Sequence, residues 1–356
     1  MYDDMVLNKQ LRILFIGDLN ESVRSSMRLS ILQENNIVYS ISNTKIPFLG
    51  GITNSSLLSR ILFKLRISYD ESGLNKKIFE LDMNEEIDLI WIEKSNMLKL
   101  KALLHLKKIF PKSVIISFSE DNMIEKHNNS LNYLECLSYY DKVFTSKRSN
   151  LTELLMLGAK CTELFIDSYC NHYHFPLEEY ENINNKDIEV SFIGSYELER
   201  ANSIKYLISN GINVYIYGSG WEKNSFFRNY KFLNMPVYGK DYNTIINRTK
   251  INLNFLRKIN NDEITCRSFE IPGAGGFMIS ERTQRHEDFF KEGLECDYFS
   301  DNNELLEKVN YYFNNPMDIY RIGKSSRLRS LVDNYSMEKQ VEQIIYSSLN
   351  FNKLIS

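Results

Sequence analysis

The chain has 356 residues, a length that favours two domains over one. Hydrophobic residues make up 43% and charged residues 25%, which excludes disordered, collagenous and coiled-coil chains. With 43 Lys plus Arg against 46 Asp plus Glu, the net charge of −3 supplies no general attraction for nucleic acid or anionic lipid, so any phosphate site has to be local.

The first predicted element is the apolar run Leu11-Arg-Ile-Leu-Phe-Ile-Gly-Asp18, followed by a helical stretch from Ser22 to Asn35. It reads as a buried parallel strand, a tight turn and a helix. Asn43 to Arg66 interrupts the first half and contains the basic, amphipathic stretch Leu57 to Arg66. That pattern suits either a helix packed on its own domain or contact with a membrane or lipid-linked acceptor. Further strands are expected at 87–92, 113–118, 142–145 and 162–166, separated by helical patterns such as Met97 to Phe110 and Asn150 to Leu157. Residues 172–187 are polar, contain Pro176 and show no period, as expected of a linker.

The arrangement then starts again. Ile188-Glu-Val-Ser-Phe-Ile-Gly-Ser195 repeats the strand that ends on Phe-Ile-Gly, almost half the chain later, and Glu197 to Asn210 reads as the following helix. Strands are expected at 212–217, 250–255, 276–279 and 298–299, and a final helix around Met337 to Leu349. Strands alternating with helices imply an α/β fold with two doubly wound domains, 1–171 and 188–336. Ligands of such sheets sit outside the carboxyl ends of the strands, which places function in an interdomain cleft.

No apolar run reaches the roughly 18–20 residues of a membrane span, and the acidic opening Met1-Tyr-Asp-Asp lacks the basic start of a signal peptide. A cytoplasmic protein is expected, with peripheral contact at the inner face of a membrane left open. Cys136, Cys161, Cys170, Cys266 and Cys296 form no C-x-x-C pair, against a disulfide framework or zinc knuckle. His105, His127, His172, His174 and His286 have no metal-ligand spacing, and no metal or other cofactor is expected.

The most informative segment is Asp262 to Ser280, where Glu270 precedes Pro-Gly-Ala-Gly-Gly and a strand. A carboxylate can accept both hydroxyls of a ribose, while backbone N–H groups at Gly273, Ala274 and Gly275 can approach phosphates closely. Together they describe a nucleotide diphosphate site. Neither Phe-Ile-Gly turn continues as G-x-G-x-x-G, against a dinucleotide-dependent oxidoreductase.

Asn254-Phe-Leu-Arg257, Thr265-Cys-Arg-Ser-Phe-Glu-Ile-Pro-Gly-Ala-Gly-Gly-Phe-Met-Ile279 and Phe289-Phe-Lys-Glu-Gly293 together resemble the GT-B glycosyltransferases of the spore-maturation CgeB-like group. Ser191 to Ser195, Tyr217 to Trp221, Tyr140 to Ser146 and His174-Phe-Pro176 match in the same order. The resemblance implies GT-B architecture, two Rossmann-like domains facing across a cleft, and a nucleotide diphosphate sugar as donor. It implies transfer to a hydroxyl of a glycan or glycolipid acceptor in bacterial surface glycan synthesis. It also implies a last helix, 337–356, that returns towards the first domain.

By position in the resemblance, Glu270 binds the donor ribose and Arg200, after Gly194-Ser195, meets the donor diphosphate, with Thr265 in the same motif. Arg257 and Arg267 close to the motif are alternative sources of positive charge, and the Gly218 turn places Trp221 either beside the nucleotide base or in the core. Lys258 is a further source of positive charge. Cations there offset the leaving diphosphate, so no metal is needed. Many retaining relatives carry a glutamate eight residues before this carboxylate; here Asp262 stands there beside Glu263, and retention is favoured over inversion. On the acceptor side Asp18 and Asp121 are candidates for a general base or for acceptor positioning, with Asn20, Glu93, Lys94 and Glu120 nearby at strand ends. An epimerase or hydrolase on the same fold, or a non-catalytic sugar-nucleotide-binding protein, is the alternative.

Overall fold

The computed structural model describes residues 10–44, 66 and 68–355. Two compact units divide it: one takes in the chain as far as Ile166 and again from Gln340, the other runs from Asp167 to Lys339. Among the described residues no helix is long and apolar enough to cross a membrane. Residues 45–65 of the expected amphipathic stretch lie outside the described residues.

In the first unit β1 (Arg12–Gly17), β2 (Ile37–Ser42), β3 (Leu89–Glu93), β4 (Val114–Ser119), β5 (Lys142–Thr145) and β6 (Thr162–Leu164) form one parallel sheet in the order β2-β1-β3-β4-β5-β6. Every residue of β3 and β4 is buried, because helices cover both faces of a parallel sheet. These helices are α1 (Arg24–Asn35), α2 (Leu74–Phe79), α3 (Leu100–Ile109), α4 (Leu131–Cys136) and α5 (Arg148–Met156). Strand β2 is absent from the apolar-run reading because it is an edge strand that buries only Ile41 and Ser42. The chain passes from β1 outward to β2 and then back across to β3, so a topological switch point lies between β1 and β3.

The second unit repeats the plan with β7 (Ile188–Ile193), β8 (Val214–Tyr217), β9 (Leu233–Asn234), β10 (Thr249–Asn254), β11 (Met278–Glu281) and β12 (Asp297–Phe299), all parallel in the order β12-β11-β10-β7-β8-β9. Its switch point falls between β7 and β10. The helices are α6 (Leu198–Ser209), α7 (Gly239–Arg248), α8 (Arg267–Gly273), α9 (Gln284–Phe289), α10 (Asn302–Asn314) and α11 (Pro316–Val332). Helix α6 turns Ala201, Ile204 and Leu207 into the core at helical spacing. At α10, the Asp301 carboxylate accepts from the Asn303 and Glu304 backbone N–H groups and starts the helix.

The segment 172–187, expected as a linker, is held to α7. The Asn243 side chain accepts from the Phe175 N–H at 3.2 Å, and that of Asn247 accepts from the Leu177 N–H at 2.9 Å. The last helix, α12 (Met337–Ile355), starts in the second unit and from Gln340 belongs to the first. There Lys142 donates to the Ser347 hydroxyl at 2.7 Å. The two sheets with flanking helices make this an α/β protein of GT-B architecture.

Candidate functional site

In the second unit the switch point brings together the loops that follow β7 and β10. Gly194 and Ser195 follow β7, and Gly218 follows β8. A Cβ on Gly218 would overlap the carbonyl oxygen of Gly194, so glycine is what lets the two loops touch. Trp221 locks them from below: its Nε1–H donates to the Gly194 carbonyl at 2.9 Å. The indole is fully buried against Phe192, Tyr196 and Phe227. It therefore shapes the loop from the core and offers no face to a nucleotide base. Gly218→Ala is expected to lower stability by roughly 1–3 kcal/mol through overpacking, read as a lower denaturant midpoint. An unchanged midpoint would show that the loops part freely.

Arg200 also lies beneath this turn. Only 3% exposed, it donates to the Ser195 carbonyl at 3.2 Å and to Glu197 at 3.2 Å, and sits over the Phe192 ring. Burial lowers its pKa to about 10. Glu197 also accepts from Arg257 at 2.9 Å, so one carboxylate holds two of the expected donor-side cations. Lys258 lies 3.7 Å from Glu281 and is mostly exposed. These groups stabilise the loops, and any direct part in phosphate binding would require Arg257 to exchange its partner.

Helix α8 presents the other wall. Glu270 is buried, and its carboxylate accepts from the Tyr242 hydroxyl at 2.9 Å. Burial, with the Glu270 charge added to it, raises the Tyr242 pKa well above the usual phenol value, so the hydroxyl stays a donor. The other carboxylate oxygen faces His174 Nε2 at 4.0 Å. Because the Cys170 backbone N–H donates to His174 Nδ1 at 3.0 Å, the neutral ring carries its proton on Nε2, towards Glu270. The Tyr242 hydroxyl thus aims the carboxylate and His174 lies beside it, two side chains that sequence reasoning missed. Tyr242 carries no sequence signal, and His174 stands out in the sequence only within the His174-Phe-Pro176 piece of the linker.

Arg267 stands three residues before Glu270 on α8 and lines a small cavity with Ile193, Tyr242, Leu253 and Ile271. Its guanidinium makes no hydrogen bond or salt bridge among the described residues. Burial opposes its charge, but Cys266, Tyr242, Glu270 and Asp262 outweigh burial and raise its pKa. A cation that lines a cavity and has no carboxylate in direct ion-pair contact among the described residues can receive an anionic ligand. The glycines after Glu270 serve close packing: a Cβ on Gly273 would strike the Tyr169 ring, and Gly275 has φ +73° beside Pro176. Ala274 is buried.

Thr265 is buried and its N–H points to Ser268 Oγ at 3.3 Å. Ser268 in turn meets His286 Nε2 at 2.7 Å. Burial pulls the His286 pKa down to about 4, so this histidine belongs to a neutral internal network rather than to proton transfer at neutral pH. Asp262 accepts from Asn260 Nδ2 at 2.8 Å and holds the turn ahead of α8, while Glu263 is exposed.

In the first unit the four expected carboxylates differ in availability. Asp18 accepts from Asn20 N at 2.9 Å, Asn20 Nδ2 at 2.6 Å and Thr44 Oγ1 at 2.9 Å, which closes the turn after β1. Glu93 is buried and takes a two-pronged contact from Arg28 at 2.7 and 2.9 Å, with Trp91 Nε1–H at 3.0 Å. Glu120 bridges Arg24 at 2.7 Å and Arg28 at 2.9 Å. Burial pushes the Glu120 pKa up, but the two guanidinium groups override it and bring the value to about 2. Asp121 pairs with Lys94 at 2.6 Å, each side chain about a third exposed, which makes it the most accessible ion pair of the set. Sequence reasoning did not single out Arg24 and Arg28, which lie mid-helix without a motif.

Residues 199–346 match a family model described as glycosyl transferase-like. No curated protein sequence matches the chain. Among solved structures, sucrose-phosphate synthase from Thermosynechococcus elongatus superposes with a TM-score of 0.61 at 11% identity, over 94% of this chain and 97% of that one. HepE of Anabaena in complex with UDP-glucose gives 0.58 at 10% identity, over 95% of this chain and 100% of the other. The N-terminal domain of trehalose-6-phosphate phosphatase from Candida albicans gives 0.59 at 12% identity, over 97% and 98%.

Proposed function

We propose that the chain is a glycosyltransferase that takes a glycosyl group from a nucleotide diphosphate sugar and passes it to an acceptor hydroxyl. The observation that carries this reading is the pairing on α8 of a buried, oriented carboxylate, Glu270, with a cation, Arg267, that makes no direct ion pair among the described residues, at the carboxyl end of the sheet. The glycosyl transferase-like match over residues 199–346 supports it, and the UDP-glucose bound by HepE supports a nucleotide sugar as the donor class.

In this reaction the bond from the anomeric carbon to the diphosphate oxygen breaks, and a bond to the acceptor oxygen forms. The acceptor proton leaves, and negative charge grows on the departing diphosphate. Glu270 accepts the ribose hydroxyls and fixes the nucleotide. Arg267 meets the growing charge, so the leaving group needs no metal. We assign acceptor binding to the first unit, where Asp121 and Lys94 form an accessible polar pair and Asp18 stands in the turn after β1. A retaining outcome and a role in surface glycan synthesis at the cytoplasmic face of the membrane complete the proposal.

Calorimetry with a panel of nucleotide sugars tests it. Glu270→Ala is expected to weaken donor binding by roughly 1.5–3 kcal/mol, the worth of hydrogen bonds to a charged acceptor, and Glu270→Gln by less. Unchanged affinity in both variants would remove Glu270 from the site. Donor turnover with and without acceptors separates transfer from hydrolysis or epimerisation.

A further inference from the structure

We propose that Cys170, His172 and Glu338 form a zinc-class metal site within the second unit, at the paired backbone segments through which the chain enters and leaves it. The entering segment carries Cys170 and His172, and the leaving segment carries Glu338 in the first turn of α12. The two segments are joined by their backbones: the Tyr169 N–H donates to the Tyr335 carbonyl at 3.2 Å and the Met337 N–H to the Tyr169 carbonyl at 2.7 Å. This joining brings three donor atoms, Cys170 Sγ, one ring nitrogen of His172 and one oxygen of Glu338, within 4.8 Å of one another.

The spacings suit one ion. Cys170 Sγ lies 4.0 Å and His172 Nδ1 3.7 Å from Glu338 Oε1. Tetrahedral zinc, with bonds of roughly 2.0–2.3 Å, holds its ligand atoms about 3.3–3.7 Å apart, so a small inward movement of the side chains closes the site. The Glu338 carboxylate is already aimed. Asn171, between the other two donors, gives it two hydrogen bonds, from its backbone N at 3.2 Å to Oε1 and from Nδ2 at 3.0 Å to Oε2. Such outer contacts are what orient a ligating carboxylate.

The donor set selects the metal. A thiolate, an imidazole and one carboxylate match zinc and its neighbours, whereas magnesium and calcium require oxygen ligands throughout. Cys170 is buried while the His172 side chain is 62% exposed, so the ion enters from the solvent side and water completes the shell. On binding, the Cys170 thiol gives its proton to solvent as the sulfur–metal bond forms. Sequence spacing could not reveal the site, because Cys-x-His supplies two donors and the third comes from the far end of the unit.

The test uses the full-length chain, treated with chelator and then titrated with zinc against a chromophoric indicator, and with cobalt followed by visible absorbance. One equivalent of each is expected to bind, and the cobalt form is expected to show a sulfur-to-metal charge-transfer band. His172→Ala, chosen because the side chain is exposed and its loss leaves the core intact, is expected to weaken zinc binding at least tenfold. Cys170→Ser is expected to abolish the sulfur band. Zinc should raise the melting temperature of the parent and leave that of His172→Ala unmoved. Absence of stoichiometric binding, a cobalt spectrum without the sulfur band, or equal zinc affinity in the parent and His172→Ala would each overturn the site. None of these readouts depends on donor turnover, so the proposal stands or falls apart from the glycosyltransferase reading.

Discussion

Arg267→Ala is expected to lower turnover about a hundredfold, the usual cost of removing one preorganised group that stabilises transition-state charge. The effect should fall on turnover more than on binding of a plain nucleoside, because the guanidinium acts where the diphosphate leaves and a nucleoside has no such charge. Arg200 and Arg257 are poor substitutes, since both are bound to Glu197. Arg267→Lys should recover part of the loss: it restores the charge without the planar fork. Steady-state kinetics beside calorimetry of nucleoside and nucleoside diphosphate decide the matter. Equal losses for nucleoside and diphosphate would mean that Arg267 only maintains the shape of α8. Full activity in the alanine variant would move the phosphate contact to Arg257.

Much of the fold was legible in the sequence because parallel strands buried on both faces read as short apolar runs. The runs at β1, β3, β4, β7 and β10 are of this kind, and the repeated Phe-Ile-Gly marks the first strand of each unit. Edge strand β2 and the two-residue β9 escaped notice because exposed faces and short pairing leave no run. Helix α11 was missed for a related reason: it buries Ile319, Ile322, Gly323, Ser326 and Ser330, a stripe too small and polar to register as amphipathic.

The candidate site was legible only where chemistry and chain order coincide. Glu270 and Arg267 lie three residues apart in one helix, so a linear motif contains both. Tyr242, which aims that carboxylate, and His174 beside it arrive from α7 and from the segment before β7, and no local spacing links them to it. Trp221 shows the opposite case. A glycine turn followed by a tryptophan leaves a place beside a nucleotide base and a place in the core equally open, and the fully buried indole, its N–H bonded to the Gly194 carbonyl, takes the second.

The first unit should respond most strongly to Arg28→Ala. Arg28 is 2% exposed, makes the two-pronged contact with Glu93, reaches Glu120, and lies 4.4 Å from the centre of the Phe118 ring. Removing it leaves Glu93 buried with one indole N–H as its remaining named donor, and breaking a buried pair from one side costs about 3–5 kcal/mol. The loss should depend on pH. Burial already holds the Glu93 pKa above the ordinary carboxylate value in the parent in spite of Arg28, and in the variant the loss of that counterion raises it further above the unfolded value of about 4.3. The folded state then binds a proton more readily, so stability falls as pH rises through that raised pKa and the deficit against the parent is larger at pH 8 than at pH 5. Glu120 behaves in the opposite sense. In the parent, with both guanidinium groups lowering its pKa to about 2, its contribution is fully present above the unfolded value and is lost as pH falls towards 2, and in the variant Arg24 at 2.7 Å remains its counterion. Denaturant midpoints of the parent and Arg28→Ala at the two pH values check both parts. A loss below about 1 kcal/mol, the scale of exposed ion pairs, would show that water reaches Glu93. A large loss equal at both pH values would locate the damage in the packing on Phe118 instead of in the orphaned carboxylate.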